Sequence, residues 1–162
     1  KILNVSEQNI RESSLDFFPK HASSTKVLIA TEGPAAYEKI FYSEQYWRLV
    51  DDLFSNLTRS ISIKYHPSLQ NKPLGIESPF ESFWPIEFIM NNTPIVLGVY
   101  SASLIAASQN KHTKVISLLN LVEWKTEDLK IEAKSFLDSD NVAKKRILYP
   151  QTTDELYFLL DS

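Results

Sequence analysis

The sequence predicts an α/β fold: a Rossmann-like, mostly parallel sheet with helices on both faces. Three observations carry this. Short β-rich apolar runs alternate with longer stretches of helical periodicity. The run 94–100 is apolar almost throughout, as a central strand covered on both faces must be. The 162 residues hold only three glycines, few for the tight turns of an all-β sandwich.

Taken in order, Val27-Leu28-Ile29-Ala30 reads as a first strand, closed by the turn signal Thr31-Glu32-Gly33-Pro34. Residues 43–57 read as a helix. Tyr46, Val50, Leu53, Phe54 and Leu57 recur on one face, with Ser43 as the expected N-cap. The alternating, β-branched stretch 60–65 reads as a strand that stops at His66-Pro67. A loop marked by Pro73, Gly75 and Pro79 leads to an expected helix over 84–91, then to the apolar strand over 94–100. A short helix (101–108), a strand (114–119), a helix capped by Thr126 (127–137), an edge-like strand (146–149) and a terminal helix (153–160) follow. Strand and helix thus alternate five times, which calls for crossover connections and a parallel sheet. Residues 26–162 are the expected domain. Residues 1–25 are read as an N-terminal segment or linker in which 2–5 adds a strand.

Composition narrows the function. The chain is long enough for one hydrophobic core. With 43% apolar and 23% charged residues it has ordinary globular composition. Seventeen basic against twenty acidic residues give a net charge of −3, which argues against a broad basic face for nucleic acid. The absence of cysteine excludes disulfides, thiolate catalysis and cysteine-ligated zinc, and fits a reducing compartment. No apolar run approaches the roughly 18 residues of a membrane-spanning helix, and no signal-peptide pattern opens the chain. Because the chain starts at Lys1, a fragment or processed product is expected.

A parallel sheet receives ligands at the carboxyl ends of its strands. Three loops expected there carry notable polar residues: Thr31-Glu32-Gly33, His66-Pro67 and Ser101-Ala102-Ser103. Pro67 restricts the backbone of His66 and so aims its imidazole, which suits a proton or hydrogen-bond donor to a phosphate. The same residue, taken alone, also suits the plain end of a strand. Ser101 and Ser103 open a helix, where hydroxyls and free amides suit an anion, although capping is the commoner use of such a serine. Glu87 has the position to accept from a ribose diol, and Glu32 the position of a general base; both also read as solvated carboxylates. There is no Walker A or GxGxxG cradle, and metal-ligand spacing is absent. Asp138-Ser139-Asp140 reads as a solvated turn, and His21 and His112 receive no role. The aromatic cluster Phe80, Phe83, Trp84 and Phe88 is read as core whose edge can stack a sugar or base.

Three ordered motifs carry a family resemblance across roughly 60–108. Ile63-Lys64-Tyr65-His66-Pro67, Pro85-Ile86-Glu87-Phe88 and Gly98-Val99-Tyr100-Ser101-Ala102-Ser103-Leu104 resemble the nucleotide-binding half of bacterial sialyltransferases of the lipooligosaccharide and capsule type. The resemblance implies a GT-B enzyme with two Rossmann-like domains, CMP-sialic acid as donor, inversion at the anomeric carbon and no required metal or other cofactor. It further implies that His66 serves the departing phosphate, that Ser101 and Ser103 bind it, that Glu87 holds the ribose, and that Pro67 belongs to the same donor-nucleotide site. Glu32 matches the family's acidic base motif in part. Implied partners are the nucleotide-sugar donor, a glycan acceptor and a separate N-terminal domain. The implied location is cytoplasmic, with at most peripheral association with the inner membrane. The chain departs from the family at Tyr65, at Ala102 between the serines, and in length, which is about half. Two further readings are a CDP-glycerol-type polyol-phosphate transferase, whose family shares the His-Pro motif, and a non-catalytic module that binds a nucleotide or a partner.

Overall fold

The computed structural model describes residues 25–69, 72–80, 84–86, 89 and 93–162. The expected strand over 2–5, the linker and Glu87 lie outside them.

The sheet has five strands: β1 (Val27–Ala30), β2 (Ile61–Lys64), β3 (Ile95–Gly98), β4 (Lys114–Ser117) and β5 (Ile147–Leu148). They lie in the order β2-β1-β3-β4-β5, and every pairing is parallel. The register sets Ile29 of β1 between Ile63 of β2 and Leu97 of β3. Parallel neighbours need crossover connections. Described helices in these are α1 (Pro34–Lys39), α2 (Ser43–Asn56), α3 (Ala102–Ser108), α4 (Glu127–Leu137) and α5 (Asn141–Arg146); α6 (Thr153–Asp161) follows β5.

Both parities of the inner strands β1 and β3 are apolar and buried, so both faces of the sheet are covered. Val27, Ile29, Ile63, Leu97 and Ile116 form one core with Tyr46, Val50 and Leu53 of α2 and with Leu156 and Leu160 of α6. Leu28, Val96, Val115 and Ile147 form the other with residues of α3, α4 and α5, among them Leu104, Leu137 and Ala143. The chain steps from β1 to β2 on one side, then returns to place β3 on the other side of β1. The crossover direction therefore reverses between β1 and β3, and the crevice above their carboxyl ends is where doubly wound sheets bind ligands.

Gly98 ends β3 in a space that a side chain does not fit. A Cβ there would stand 3.2 Å from the carbonyl oxygen of Ala30 and 3.3 Å from Cδ2 of Leu104. Gly98→Ala is expected to lower stability by about 1–3 kcal/mol, measured as a reduced urea midpoint with an unchanged far-ultraviolet spectrum.

The elements differ from expectation at a few places. The Pro34 turn signal opens helix α1, because proline is well suited to the first helical position. Tyr42, not Ser43, stands at the N-cap of α2 and makes no side-chain cap bond. Asp140 belongs to no solvated turn: its carboxylate caps the short helix α5, accepting from the amides of Val142 and Ala143. Arg146 closes α5 rather than opening the edge strand. Its guanidinium donates to the carbonyls of Ser108, Asn110 and Thr113, tying the end of α3 to the loop before β4.

Candidate functional site

The β1 loop is the hinge of the candidate site. The ladder with β2 runs on through Thr31, whose amide donates to the Lys64 carbonyl (3.1 Å). The Thr31 hydroxyl accepts from the amide of His66 at 2.8 Å, which locks the β1 and β2 loops together. Glu32 follows and turns inward. It is 5% exposed, and its Oε1 accepts from the amides of Val99 and Tyr100, both at 3.1 Å. Its own amide donates to the Tyr37 hydroxyl at 3.0 Å. The carboxylate thus spans the crevice between β1 and β3 and holds their loops in one geometry. Burial pushes its pKa up to about 7, against the backbone hydrogen bonds that favour the charged form.

His66 is fixed from three sides. Its backbone is held by Thr31, and its carbonyl accepts from the amide of Leu69 at 2.9 Å, closing the His66-Pro67-Ser68-Leu69 turn. The Ser68 amide donates to Nδ1 at 3.1 Å. A neutral imidazole so held carries its proton on Nε2. The ring packs over Gly33: a Cβ there would lie 3.4–3.5 Å from Cε1, Nδ1 and Nε2. Pro67, the exposed next residue, limits the backbone of His66 to extended conformations.

The third loop leaves β3 through Val99 and Tyr100 and enters α3. Ser101 is the N-cap; its hydroxyl accepts from the Ser103 amide at 3.0 Å and its carbonyl from the Leu104 amide at 3.0 Å. Ser101→Ala is expected to cost about 1 kcal/mol through loss of this cap, read as a melting temperature a few degrees lower.

The three loops share one rim. His66 and Ser101 lie in the loops that follow β2 and β3, the strands either side of β1, whose axes are two strand spacings or about 10 Å apart in the sheet. Thr31, Glu32 and Gly33 form the continuous bridge between them. Glu87 lies outside the described residues. The Asp138-Ser139-Asp140 carboxylates are committed elsewhere, Asp138 to Lys134 at 2.7 Å and Asp140 to the α5 cap. His112 is exposed in the turn before β4. Among the described residues no cluster of three His, Cys, Asp or Glu side chains forms a metal site. No helix among them is long and apolar enough to cross a membrane.

Three residues that position the site were given no role in the sequence. The Thr31 hydroxyl and the Ser68 amide hold His66, and Tyr37 holds the Glu32 backbone. Thr31 had a signal, since it adjoins Glu32 in a polar turn. The Ser68 contact is made by a backbone amide, which side-chain chemistry does not announce.

No protein-family model and no curated protein matches the chain. Among solved structures it is similar to the spinosyn rhamnosyltransferase SpnG complexed with spinosyn aglycone, with a TM-score of 0.51 and 15% identity. The match covers 90% of this chain and 40% of that one, so the chain spans well under half of that enzyme's length. At this identity the likeness is one of fold. The described residues form a five-stranded parallel α/β sheet like that of one half of a GT-B glycosyltransferase.

Proposed function

We propose that this chain is the donor-nucleotide half of a GT-B glycosyltransferase that moves sialic acid from CMP-sialic acid to a glycan with inversion. The observation that carries the reading is the fixed imidazole of His66 against the β1 loop, with Nδ1 engaged by the Ser68 amide and the ring over Gly33. A GT-B-like fold supports a nucleotide-sugar ligand at this edge. The order of the His-Pro, Pro-x-Glu and Ser-x-Ser motifs supports sialic acid and CMP as its parts.

In this reading the chemistry is electrostatic. Breaking the bond between the anomeric carbon and the phosphate oxygen leaves negative charge on CMP. The Nε2–H of His66 donates to that phosphate as the charge develops, and the hydroxyls of Ser101 and Ser103 add donors from the β3 side. Pro67 keeps the imidazole in place, and Glu87 accepts from the ribose hydroxyls. Glu32 acts as a positioning residue here, because a carboxylate bonded to two amides and almost fully buried is poorly placed to take a proton from an acceptor hydroxyl. That base and the remainder of the acceptor site belong to a second domain.

Calorimetric titration of the chain with CMP, CDP and UDP tests the proposal. CMP is expected to bind and to raise the melting temperature as its concentration exceeds Kd, with CDP and UDP weaker. Preference for CDP points to the polyol-phosphate transferase reading, and no binding of any nucleotide points to the non-catalytic one.

A further inference from the structure

We infer that the concavity beside the His66 turn is a binding site for a neutral, hydroxyl-rich sugar ring, which on the reading just proposed is a residue of the acceptor glycan. It measures about 510 Å³, a volume suited to one or two sugar rings. Tyr37, Trp47, Glu38 and Ser68 supply its chemistry, and Pro34 and Leu69 are among its apolar sides.

The aromatic wall is rigid before any ligand arrives. The Tyr37 and Trp47 rings stand 5.3 Å apart at 39°, each half-buried and facing the same concavity. Trp47 packs edge-on against Tyr46 at 4.7 Å, and Tyr37 meets Phe41 at 5.5 Å. The Tyr37 hydroxyl is further fixed by the Glu32 amide. Such faces receive the C–H side of a pyranose ring. The exposed Glu38 carboxylate can accept from two sugar hydroxyls, and Ser68 adds a hydroxyl to the lining. The charge selects the class: among the described residues Glu38 is the one carboxylate lining the concavity, so a carboxylated or phosphorylated sugar meets its repulsion there while a neutral one does not. Two aromatic rings and an acid also attract a quaternary ammonium ion. The concavity is larger than that ion needs, however, and the other described residues lining it are proline, leucine and serine.

Position ties this surface to the site. Pro34 follows Gly33, on which the His66 ring packs, and the Ser68 amide holds His66 Nδ1. A sugar seated there lies next to the group proposed to serve the departing phosphate.

Saturation-transfer NMR of the full chain tests the inference, with lactose as the neutral probe, sialyllactose as the anionic one and choline as the cationic one. Lactose is expected to receive saturation through its ring C–H protons. Glu38→Ala, at an exposed position, is expected to weaken lactose binding about tenfold, and Trp47→Leu to abolish it. CMP titration of the same variants separates the two proposals. Lactose binding lost in Glu38→Ala while CMP binding stands supports the sugar site. Lactose binding without CMP binding supports it too and sinks only the donor reading. Lactose that does not bind, or binds equally to Glu38→Ala, overturns the inference, as does choline binding in place of lactose.

Discussion

Alanine at position 66 is expected to weaken CMP binding by ten- to a hundredfold, the effect of removing a hydrogen bond to a charged phosphate. The imidazole is half-buried and makes one side-chain hydrogen bond, to the exposed turn at Ser68. Its removal therefore leaves the sheet intact, and the melting temperature without ligand is expected to stay near that of the parent. In the complete two-domain enzyme the loss should be larger in turnover than in binding, about a hundred- to a thousandfold. The proposed donor acts most strongly on charge that develops as the glycosyl bond breaks. Titration of the chain and single-turnover transfer by the complete enzyme measure the two effects. Equal CMP affinity in parent and variant would contradict the assigned role.

Glu32 gives the second large effect, this time on folding. Glu32→Ala leaves the amides of Val99 and Tyr100 without their acceptor beneath a buried loop. Unpaired buried donors cost about 1–3 kcal/mol each, and the lost carboxylate also frees the β1 and β3 loops from one another. Glu32→Gln keeps a carbonyl oxygen for those amides and separates the bonds from the charge. The pH dependence follows from the raised pKa. Between the ordinary value of 4.5 and about 7, the folded protein holds a proton on Glu32 that the unfolded chain has released. Stability from this group is therefore highest below the lower value and falls as pH rises through the window, by up to about 3 kcal/mol. Urea unfolding at intervals across that window should show this decline in the parent. In Glu32→Gln the Glu32 component of the slope should vanish, and the variant should at least match the parent above pH 7. A slope unchanged by Glu32→Gln would place the carboxyl in water, contrary to its burial.

The inner strands were legible because they are short, β-rich apolar runs bounded by turn signals. Val27 to Ala30 and Ile95 to Leu97 are apolar without interruption, and the polar turn residues that bound them separate them from the longer helical stretches. Longer helices such as α2 were legible through Tyr46, Val50 and Leu53. The short ones were not. Helices α1 and α5 have six residues each, too few for a 3.6-residue period to show, and Pro34 serves equally as a turn residue and as a helix start. The strand order was not legible either, since it depends on which crossovers pack well. Yet that order is what sets the His66 and Ser101 loops on either side of Glu32. The sequence marked the polar loops that the fold sets along this rim. It did not mark what Glu32 does: a turn carboxylate reads as solvated, or as a base, until the fold turns it onto the amides of Val99 and Tyr100.

On the proposed reading a cytidine monophosphate is held where the three loops meet. A crystal structure of the chain grown with CMP is the decisive measurement. The phosphate is expected within hydrogen-bond distance of His66 Nε2 and of the Ser101 or Ser103 hydroxyl, above the crevice between β1 and β3. A CMP molecule bound with its phosphate away from the imidazole, or seated on another edge of the sheet, would contradict it.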